Sequence, residues 1–313
     1  MTGASGFIGR WVARQLSLAG AKLWLPARSA SSLEAICAAY KIEGQRLQVD
    51  LSHRGAFVQL YAQVRPQVTF HLVGYGVDPT EREEASATAL NERLIEEISE
   101  TVAAEKGSDW PGLRLVNLGS GAEYGNLEGP LTERSEPRPL DFYGRTKLAG
   151  TRALIRICER TGLPAVTARA FTVYGPGEHP GRLLPSVLAA ARSGNPVRLT
   201  SGEQRRDFTF VGDVAEGLLR LGALTSAAPA VVNLATGTLT SVREFAECAA
   251  RLVGLRPAQL LFGALAARPN EVRHGLVDVG LLHTTLHWIP GYSLCEGIQA
   301  TIDFESRLDR AGD

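Results

Sequence analysis

Short apolar stretches alternate along the chain with longer stretches in which apolar residues recur at helical spacing. The apolar stretches predict strands at 22–27, 47–51, 68–74 and 113–118. The helical spacing predicts helices at 9–20, 80–105, 143–161, 184–192, 243–252 and 294–302. Because strands that alternate with helices form parallel sheets with right-handed crossovers, the pattern predicts an α/β fold: a doubly wound parallel sheet with helices on both faces.

A glycine-rich turn near the start of the chain is the first motif with chemical content. Gly3, Gly6 and Gly9 are spaced three apart and lead directly into the first predicted helix. Glycine permits a tight turn and a close approach to a phosphate, and the helix N-terminus that follows presents free N–H groups to an anion. A plain glycine-rich turn is the alternative interpretation. The motif predicts a Rossmann-like dinucleotide site formed by Gly3, Ser5, Gly6, Phe7, Ile8 and Gly9.

The first strand of such a fold is short in this sequence. A dinucleotide fold needs a buried strand of about five residues before the first glycine, whereas only Met1 and Thr2 precede Gly3. A gap in the middle of the sheet would leave backbone groups unpaired in the core. We therefore expect this strand to be truncated in the sequence rather than missing from the fold.

The residues that follow the strand predicted at 22–27 bear on the choice of cofactor. An acidic residue about 20 positions past the glycines would bind the ribose hydroxyls of NAD, but Arg28 follows the strand here and the first acidic residue is Glu34. A guanidinium suits the 2′-phosphate of NADP. The sequence favours NADP(H) over NAD(H), with a solvated surface arginine as the plainer interpretation. Asp50 and Leu51 are predicted to lie near the adenine.

Composition and charge narrow the class of protein. The 313 residues are 44% hydrophobic and 21% charged, which is typical of a globular protein of one large domain or two closely joined ones. Lys plus Arg and Asp plus Glu each total 33, so the net charge gives no indication of nucleic-acid binding. With no apolar run of about 20 residues and no charged leader before an apolar stretch, we expect neither a membrane partner nor a signal peptide.

Cysteine and histidine spacing bears on redox state and metals. The four cysteines are widely scattered and form no CxxC pair: Cys37, Cys158, Cys248 and Cys295. This spacing predicts reduced, buried thiols in a cytoplasmic protein. His283 and His287 have i,i+4 spacing but no nearby carboxylate or cysteine, so no metal site is predicted.

Three residues further along the chain predict proton transfer. Ser120 follows the strand predicted at 113–118, at the sheet edge where ligands bind. Tyr143 and Lys147 are four residues apart and therefore lie on one face of the next helix. A lysine ammonium close to a phenol lowers the tyrosine pKa from its usual value of about 10, and a serine hydroxyl can hold a substrate oxygen. The set predicts carbonyl–alcohol interconversion beside a nicotinamide.

These motifs resemble an extended short-chain dehydrogenase/reductase, in the NAD(P)-dependent epimerase/dehydratase group that acts on nucleotide sugars. The resemblance covers essentially the whole chain, and several motifs are specific to the extended group. The matching segments are TGASGFIG at 2–9, HLVGYG at 71–76, Asn91, GSGAEYG at 119–125, YGRTK at 143–147, RAFTVYGPG at 169–177, GEQRRDFTFVGDVAEG at 202–217, RPNEV at 268–272 and LHWIPGYSLCEGI at 286–298.

The resemblance implies a role for each catalytic and cofactor-binding residue. Tyr143 is implied as the catalytic acid/base, Lys147 as the group that lowers its pKa and holds the nicotinamide ribose, and Ser120 as a partner of the reacting oxygen. Asn91 matches the helix asparagine that supports the cofactor region. These are expectations from the family.

The resemblance also implies a nucleotide-sugar partner. Arg206 and Arg268 match positions that grip the diphosphate, which suits bidentate guanidinium groups. A plain surface charge remains the alternative for each arginine. Thr172 stands where the family often has an asparagine near the substrate phosphates, which puts that contact in doubt.

Departures from the family pattern narrow the reaction. Family 4,6-dehydratases carry an acidic residue directly after the catalytic Ser or Thr, whereas Gly121 and Ala122 stand there and Glu123 comes one position late. Along a strand end the next residue faces the other way. The cysteine that 3,5-epimerase/reductases use near Gly121 is absent, and His179, in the loop expected over the sugar, has no such partner. Dehydration is therefore not expected, and hydride chemistry at one carbon remains.

Three functions are compatible with these observations, in the following order of preference. The first is an NADPH-dependent C4 ketoreductase, in which Tyr143 protonates the C4 oxygen of a nucleotide-linked 4-keto-6-deoxy sugar. The second is an NAD-dependent C4 epimerase, which the sequence barely separates from the first. The third, a cofactor-binding protein without catalysis, conflicts with the intact Ser-Tyr-Lys set.

The chain is predicted to divide into two parts. Residues 1–168 form the dinucleotide-binding domain, to which about 207–236 returns, and 169–206 with 237–313 form a smaller, discontinuous substrate-binding lobe. The resemblance further implies a homodimer through the helices at about 84–105 and 144–160.

Overall fold

A parallel sheet lies at the centre of the protein. The structure, a computed structural model, describes residues 1–78, 80–105, 109–127, 129–266 and 275–312. The central strands, in spatial order, are β3 (Thr69–His71), β4 (Leu115–Ser120), β5 (Ala165–Ala170) and β9 (Val231–Leu234). A second parallel pair consists of β1 (Trp24–Ala27) and β2 (Gln45–Gln48). Strand β5 is buried at every position, as expected for a parallel strand covered on both faces.

The first residues of the chain lie between these two groups of strands. Thr2 forms a parallel bridge with His71, and its N–H donates to the carbonyl of Phe70 at 2.9 Å. On the other side, the amino group of Met1 donates to the carbonyl of Trp24 at 2.9 Å. Residues 1–2 thus occupy the central position where the first strand of the fold is expected.

Helices cover both faces of the sheet. Side chains alternate along β4, so that Val116 packs in one hydrophobic cluster and Leu115 in the other. The first face is covered by α1 (Phe7–Leu18) and α8 (Val211–Gly222), and the second by α3 (Ala56–Val64), α5 (Leu94–Ala104) and α6 (Phe142–Thr161), while α2 (Ala30–Tyr40) packs on α1. The predicted doubly wound α/β fold is confirmed.

The helix predicted at 80–105 begins later and is not uniform. It consists of α4 (Glu84–Ala87), a π-helical segment (Thr88–Arg93) and α5. The carboxylate of Asp78 accepts from the N–H of Thr80 at 2.8 Å, and this turn delays the helix. The π-helical segment contains Asn91, and such segments are frequent at functional sites.

Strand β2 also differs from its prediction, because it ends three residues before Leu51. The β1–β2 ladder closes at the pair Ala27–Gln48. Beyond it the carboxylate of Asp50 accepts from the N–H of Ser52 at 2.9 Å, which turns the chain out of the sheet.

The remaining elements pack beside the carboxyl edge of the sheet. A three-stranded sheet has the order β10 (Leu239–Ser241), β8 (Arg205–Phe210) and β6 (Thr172–Tyr174), and β7 (Val197–Arg198) pairs with β11 (Leu260–Leu261). The helices of this part are α7 (Leu183–Ser193), α9 (Val242–Leu252), α10 (Gly280–Leu286) and α11 (Leu294–Gly312). The division of the chain at 168, 207 and 236 stays a prediction.

Two of the four cysteines contradict the predicted reduced state. Cys248 in α9 and Cys295 in α11 form a disulfide, with their Cα atoms 6.3 Å apart. The two residues are 47 positions apart, so only the packing of α9 against α11 reveals the pair. Cys37 and Cys158 are free thiols, the first buried and the second half-buried.

The helices predicted to form a dimer contact pack against each other within the chain. Their outer sides carry ion pairs between Arg145 and Glu84, at 3.2 Å, and between Arg160 and Glu100. The homodimer stays a prediction. Among the described residues, no helix is both long and apolar enough to cross a membrane.

Candidate active site

Ser120 lies at the carboxyl end of β4, where ligands of such sheets bind. It is the N-cap of a short 3₁₀ turn (Gly121–Glu123), and its hydroxyl oxygen accepts from the N–H of Ala122 at 3.2 Å. A hydrogen bond also joins the side chains of Ser120 and Tyr143. The two hydroxyl groups predicted to face the reacting oxygen are therefore adjacent in the structure.

Tyr143 lies in the first turn of α6, which begins at a side-chain cap: the Asp141 carboxylate accepts from the N–H of Gly144 at 2.8 Å. Burial, opposed by the hydrogen bond with Ser120 and aided by the carboxylates of Glu123, Asp141 and Glu81, raises the pKa of Tyr143 to about 12. The expectation that this pKa is lowered is wrong for this structure, because desolvation of the phenolate outweighs the hydrogen bond.

Lys147 lies one helical turn further along α6 and is buried. Its ammonium group donates to the carbonyl of Leu118 at 2.5 Å. Burial lowers the pKa of Lys147 to about 8, while Glu123 opposes this shift. His71 is buried nearby and shares a 2.8 Å hydrogen bond between Nδ1 and the Thr2 hydroxyl, and burial together with Lys147 lowers its pKa to about 3. His71 is therefore neutral at pH 7.

Glu123 was judged from the sequence to face away from the reacting groups. It is the last residue of the 3₁₀ turn, and its side chain is buried. One carboxylate oxygen accepts from the N–H of Ser120 at 2.9 Å, and the other pairs with the Nε of Arg169 at 2.8 Å. Both oxygens are thus occupied by protein donors. This arrangement agrees with the interpretation that Glu123 does not present a carboxylate to a substrate.

The glycine-rich turn has the geometry that a dinucleotide phosphate needs. Gly3 has φ +76°, and a Cβ atom there would lie 2.7 Å from the backbone of Leu72. A Cβ at Gly9 would lie 1.8 Å from the carbonyl oxygen of Gly3, so turn and helix touch backbone to backbone. No side chain caps the helix N-terminus at Gly6, and Ser5 and Gly6 are exposed. Backbone N–H groups at this helix end therefore suit an anion.

Arg28 and Asp50 follow adjacent strands, β1 and β2, at the other end of the predicted cofactor site. Arg28 is exposed. The pKa of Asp50 is lowered, first by hydrogen bonds from Ser52 and then by the charges of His53 and Arg28. A 2′-phosphate at Arg28 would therefore lie close to a carboxylate. Leu51 is buried in the core.

Asn91 connects two parts of the site without facing it directly. Its side-chain oxygen accepts from the N–H of Tyr75 at 3.0 Å. Its amide group donates to the Tyr75 carbonyl at 2.8 Å and to the Thr146 hydroxyl at 3.0 Å. Asn91 therefore ties the loop after β3 to α6, beside Lys147.

The predicted substrate contacts are only partly brought together. Thr172 opens β6 and pairs with Phe208 of β8, and Arg206 lies in the same strand β8. The guanidinium of Arg206 donates to the carbonyl of Arg205 at 2.9 Å. Arg268 lies outside the described residues.

The structure adds two carboxylates that the sequence interpretation missed. Glu81 accepts from the N–H of Gly76 at 2.6 Å, in a loop so close to α6 that a Cβ at Gly76 would lie 3.3 Å from Tyr143. Asp78, in the same loop, lies 2.5 Å from Nε2 of His179. No local pattern signals such a pair. The cap Asp141, in contrast, could have been found from an acidic residue directly before a helix.

Comparisons with known proteins agree with this geometry. The model of the NAD dependent epimerase/dehydratase family matches residues 1–235. A dTDP-6-deoxy-L-talose 4-dehydrogenase (NAD(P)(+)) from Kitasatospora kifunensis is 29% identical over 310 residues, covering 95% of this chain and 92% of that protein. A dTDP-L-rhamnose 4-epimerase from Burkholderia thailandensis is 25% identical over 338 residues, with the same two coverages.

Solved structures give the same result. The structure of MoeE5 in complex with UDP-glucose and NAD is 30% identical to this chain, with a TM-score of 0.82, and the match covers 98% of this chain and 97% of MoeE5. The relatives are thus nucleotide-sugar enzymes, and the solved neighbour binds NAD. This protein belongs to the NAD-dependent epimerase/dehydratase family.

Proposed function

We propose that this protein is a C4 ketoreductase that prefers NADPH and acts on a nucleotide-linked 4-keto-6-deoxy sugar. The observation that carries this proposal is the cluster of Ser120, Tyr143 and Lys147 at the carboxyl edge of the sheet, with Tyr143 in its protonated form. The relative named as a 4-dehydrogenase of a dTDP-linked 6-deoxy sugar supports hydride chemistry at C4.

The cofactor fits the residues present. The backbone of Gly3, Ser5, Gly6, Phe7, Ile8 and Gly9 would hold the diphosphate, with Arg28, Asp50 and Leu51 around the adenosine. Lys147 would hold the nicotinamide ribose. Asn91 would support the cofactor region through the loop after β3. When bound, the nicotinamide supplies the hydride.

Tyr143 supplies the proton. With its pKa raised to about 12, the phenol is protonated at neutral pH, which is the form that a reduction requires. The hydroxyl of Ser120 would hold the same C4 oxygen by a hydrogen bond. Lys147, with a pKa of about 8, would supply a positive charge on the same face of α6 as Tyr143, which favours the phenolate left after proton transfer.

Dehydration would need a further proton-transferring group beside Ser120. Gly121 and Ala122 have no such side chain, and the carboxylate of Glu123 is held by Ser120 and Arg169. The proposed reaction is therefore a single hydride step at one carbon, with Thr172, Arg206 and Arg268 around the substrate.

An NAD-dependent 4-epimerase is the second candidate function. The relative named as a dTDP-L-rhamnose 4-epimerase supports it, and epimerisation needs no group beyond the same three side chains. A reductase consumes NADPH in proportion to product, whereas an epimerase keeps its cofactor bound and turns over without net redox change.

The decisive experiment compares NADPH and NADH binding by fluorescence titration and then adds a dTDP-linked 4-keto-6-deoxy sugar. We expect tighter NADPH binding and one NADPH oxidised per sugar reduced. Tyr143→Phe serves as the control for chemistry. Redox-neutral interconversion of the matching 4-hydroxy sugars would replace the reductase by the epimerase, and activity that survives Tyr143→Phe would contradict the mechanism for both.

A further inference from the structure

The pair formed by Glu123 and Arg169 is the most deeply buried ion pair among the described residues. The exposed fractions of the two side chains are 0% and 4%. The Arg169 guanidinium also lies over the ring of Tyr124, 4.4 Å from its centre. Transfer of two charges into the interior is costly, so such a pair is weak support for a purely stabilising role. Its place beside Ser120 suggests another role.

The pair fixes the turn that carries Ser120. Glu123 accepts from the N–H of Ser120, and Arg169, on the neighbouring strand β5, holds the other carboxylate oxygen. A Cβ at Gly119 would lie 2.8 Å from this carboxylate. Space around Glu123 is therefore filled, and a shift of its carboxylate would move Ser120.

The same turn is in backbone contact with α6. A Cβ at Gly144, the residue after Tyr143, would lie 2.5 Å from the carbonyl oxygen of Ala122. The turn and the first turn of α6 thus meet without intervening side chains. The position of Glu123 therefore also determines the distance from Ser120 to Tyr143 and Lys147 of α6.

The polar and titratable groups around Lys147 lie on several elements packed against it. Glu123 on the 3₁₀ turn is the carboxylate that acts on Lys147, and His71 on β3 is neutral. Leu118 on β4 offers a carbonyl oxygen. On α6 itself Tyr143 is a neutral phenol, and Asp141 and Glu81 act on that phenol. Arg169 on β5 pairs with the other carboxylate oxygen of Glu123.

We propose that Glu123 is a positioning residue, which holds Ser120 against α6 and supplies the buried negative charge that keeps Lys147 an ammonium, with Arg169 limiting that charge. The catalytic meaning of this proposal rests on the proposed ketoreductase. Its electrostatic part concerns only the protein and can be measured without any substrate.

The two members of the pair should have opposite effects on Lys147. In Glu123→Gln the negative charge is lost and Arg169 remains, so the pKa of Lys147 falls below its value of about 8. In Arg169→Met the carboxylate is left without its partner, so the pKa of Lys147 rises. A purely structural role would give disturbances of the same sign or none.

The small number of lysines makes this test direct. The chain has Lys22, Lys41, Lys106 and Lys147 alone, so NMR of protein labelled with ¹³C at lysine Cε gives four signals, with Lys147 assigned by Lys147→Met. We expect a downward shift of about one pH unit in Glu123→Gln and a smaller upward shift in Arg169→Met, because Glu123 is the carboxylate that acts on Lys147. The double variant should therefore titrate between the wild type and Glu123→Gln. Shifts in the same direction, or none, would overturn the proposal.

Activity and folding give independent checks. If Glu123→Gln fails to fold, Arg169→Met and the double variant still decide the sign. With the 4-keto sugar, Glu123→Gln should lower kcat about tenfold or more and move the alkaline limb of its pH profile to lower pH, and Glu123→Asp should restore part of the rate. If no 4-keto sugar is turned over but the titrations shift as expected, the proposed function fails and the electrostatic role stands. Unchanged pH profiles in both single variants would contradict the electrostatic role, and an undiminished kcat in Glu123→Gln would overturn the positioning role.

Discussion

The two ends of the proposed cofactor site are built in contrasting ways. At the reacting end, Lys147, Glu123 and Arg169 are buried and each is held by protein partners at 2.5–2.9 Å. At the adenosine end, Arg28 is exposed and acts on Asp50 only through charge. A substitution at any of these three buried residues therefore disturbs several contacts at once. The proposed preference for NADPH rests on Arg28, an exposed side chain that can change at little cost to the fold.

Tyr143→Phe should produce the largest effect at the reacting end. The variant keeps the ring and removes only the proton donor, so the rate of reduction should fall about a thousandfold, within the range known for general acids. NADPH affinity should change by less than about threefold, because the hydroxyl contributes little to ground-state binding. Single-turnover absorbance of NADPH measures both. A matching loss of affinity and rate would show that Tyr143 mainly binds.

The next largest effect should be a loss of stability when the buried ion pair between Glu123 and Arg169 is broken. Glu123→Gln leaves Arg169 buried without a counter-charge, so the free energy of unfolding should fall by about 3–5 kcal/mol. The matched control is Glu100→Gln, which breaks a pair with Arg160 whose side chains are 49% and 60% exposed; there the loss should stay below about 1 kcal/mol. Urea denaturation measures both. Equal losses would remove the contrast between buried and exposed charges.

Lys147 gives a pH-dependent effect whose sign follows from its pKa. Below about pH 8 both folded and unfolded chains hold the proton, and the buried charge destabilises the fold. Between about 8 and the ordinary value of 10.5, the unfolded chain retains a proton that the folded protein has released, so stability rises with pH. The variant Lys147→Met lacks this titrating group, so its stability does not gain from this proton release. The variant should therefore be more stable at pH 7, and its advantage should shrink by about 2–3 kcal/mol towards pH 10.

Comparing urea curves of wild type and Lys147→Met at the two pH values cancels the other titrating groups. A constant difference between pH 7 and pH 10 would show that Lys147 titrates in the folded protein as it does when unfolded. Activity of the variant should be lost at both pH values.

Arg28→Ala should give the smallest effect, at the adenosine end. An exposed charge-assisted contact to a 2′-phosphate is worth about one power of ten in affinity, so NADPH binding should weaken about tenfold while NADH binding stays constant. Arg46→Ala, which removes an arginine paired with Glu34 at 2.9 Å on the same sheet, is the control. Parallel fluorescence titrations measure both. Equal weakening for the two cofactors would contradict a 2′-phosphate role.

Local patterns determined a large part of this protein. The alternation of apolar stretches with helical spacing predicted the parallel sheet, because burial on both faces leaves continuous apolar strands. Glycine spacing predicted the turn at Gly3–Gly9, since a Cβ at Gly3 or Gly9 would collide with backbone. The i,i+4 spacing of Tyr143 and Lys147 placed both on one helix face. Strand ends were less exact, as β2 shows, because a side-chain turn at Asp50 and not hydrophobicity ends it.

Contacts between distant residues were decided by the tertiary structure alone. The disulfide between Cys248 and Cys295 and the pair of Asp78 with His179 join segments with no shared pattern. The pKa of Tyr143 moved opposite to the sequence prediction, because spacing specifies neighbours but not burial. Glu123 was judged one position too late to act on a substrate, and only the tertiary structure shows that Ser120 and Arg169 hold its two carboxylate oxygens. Periodicity is a property of neighbours in the chain, whereas desolvation and ion pairing depend on which distant segments pack together.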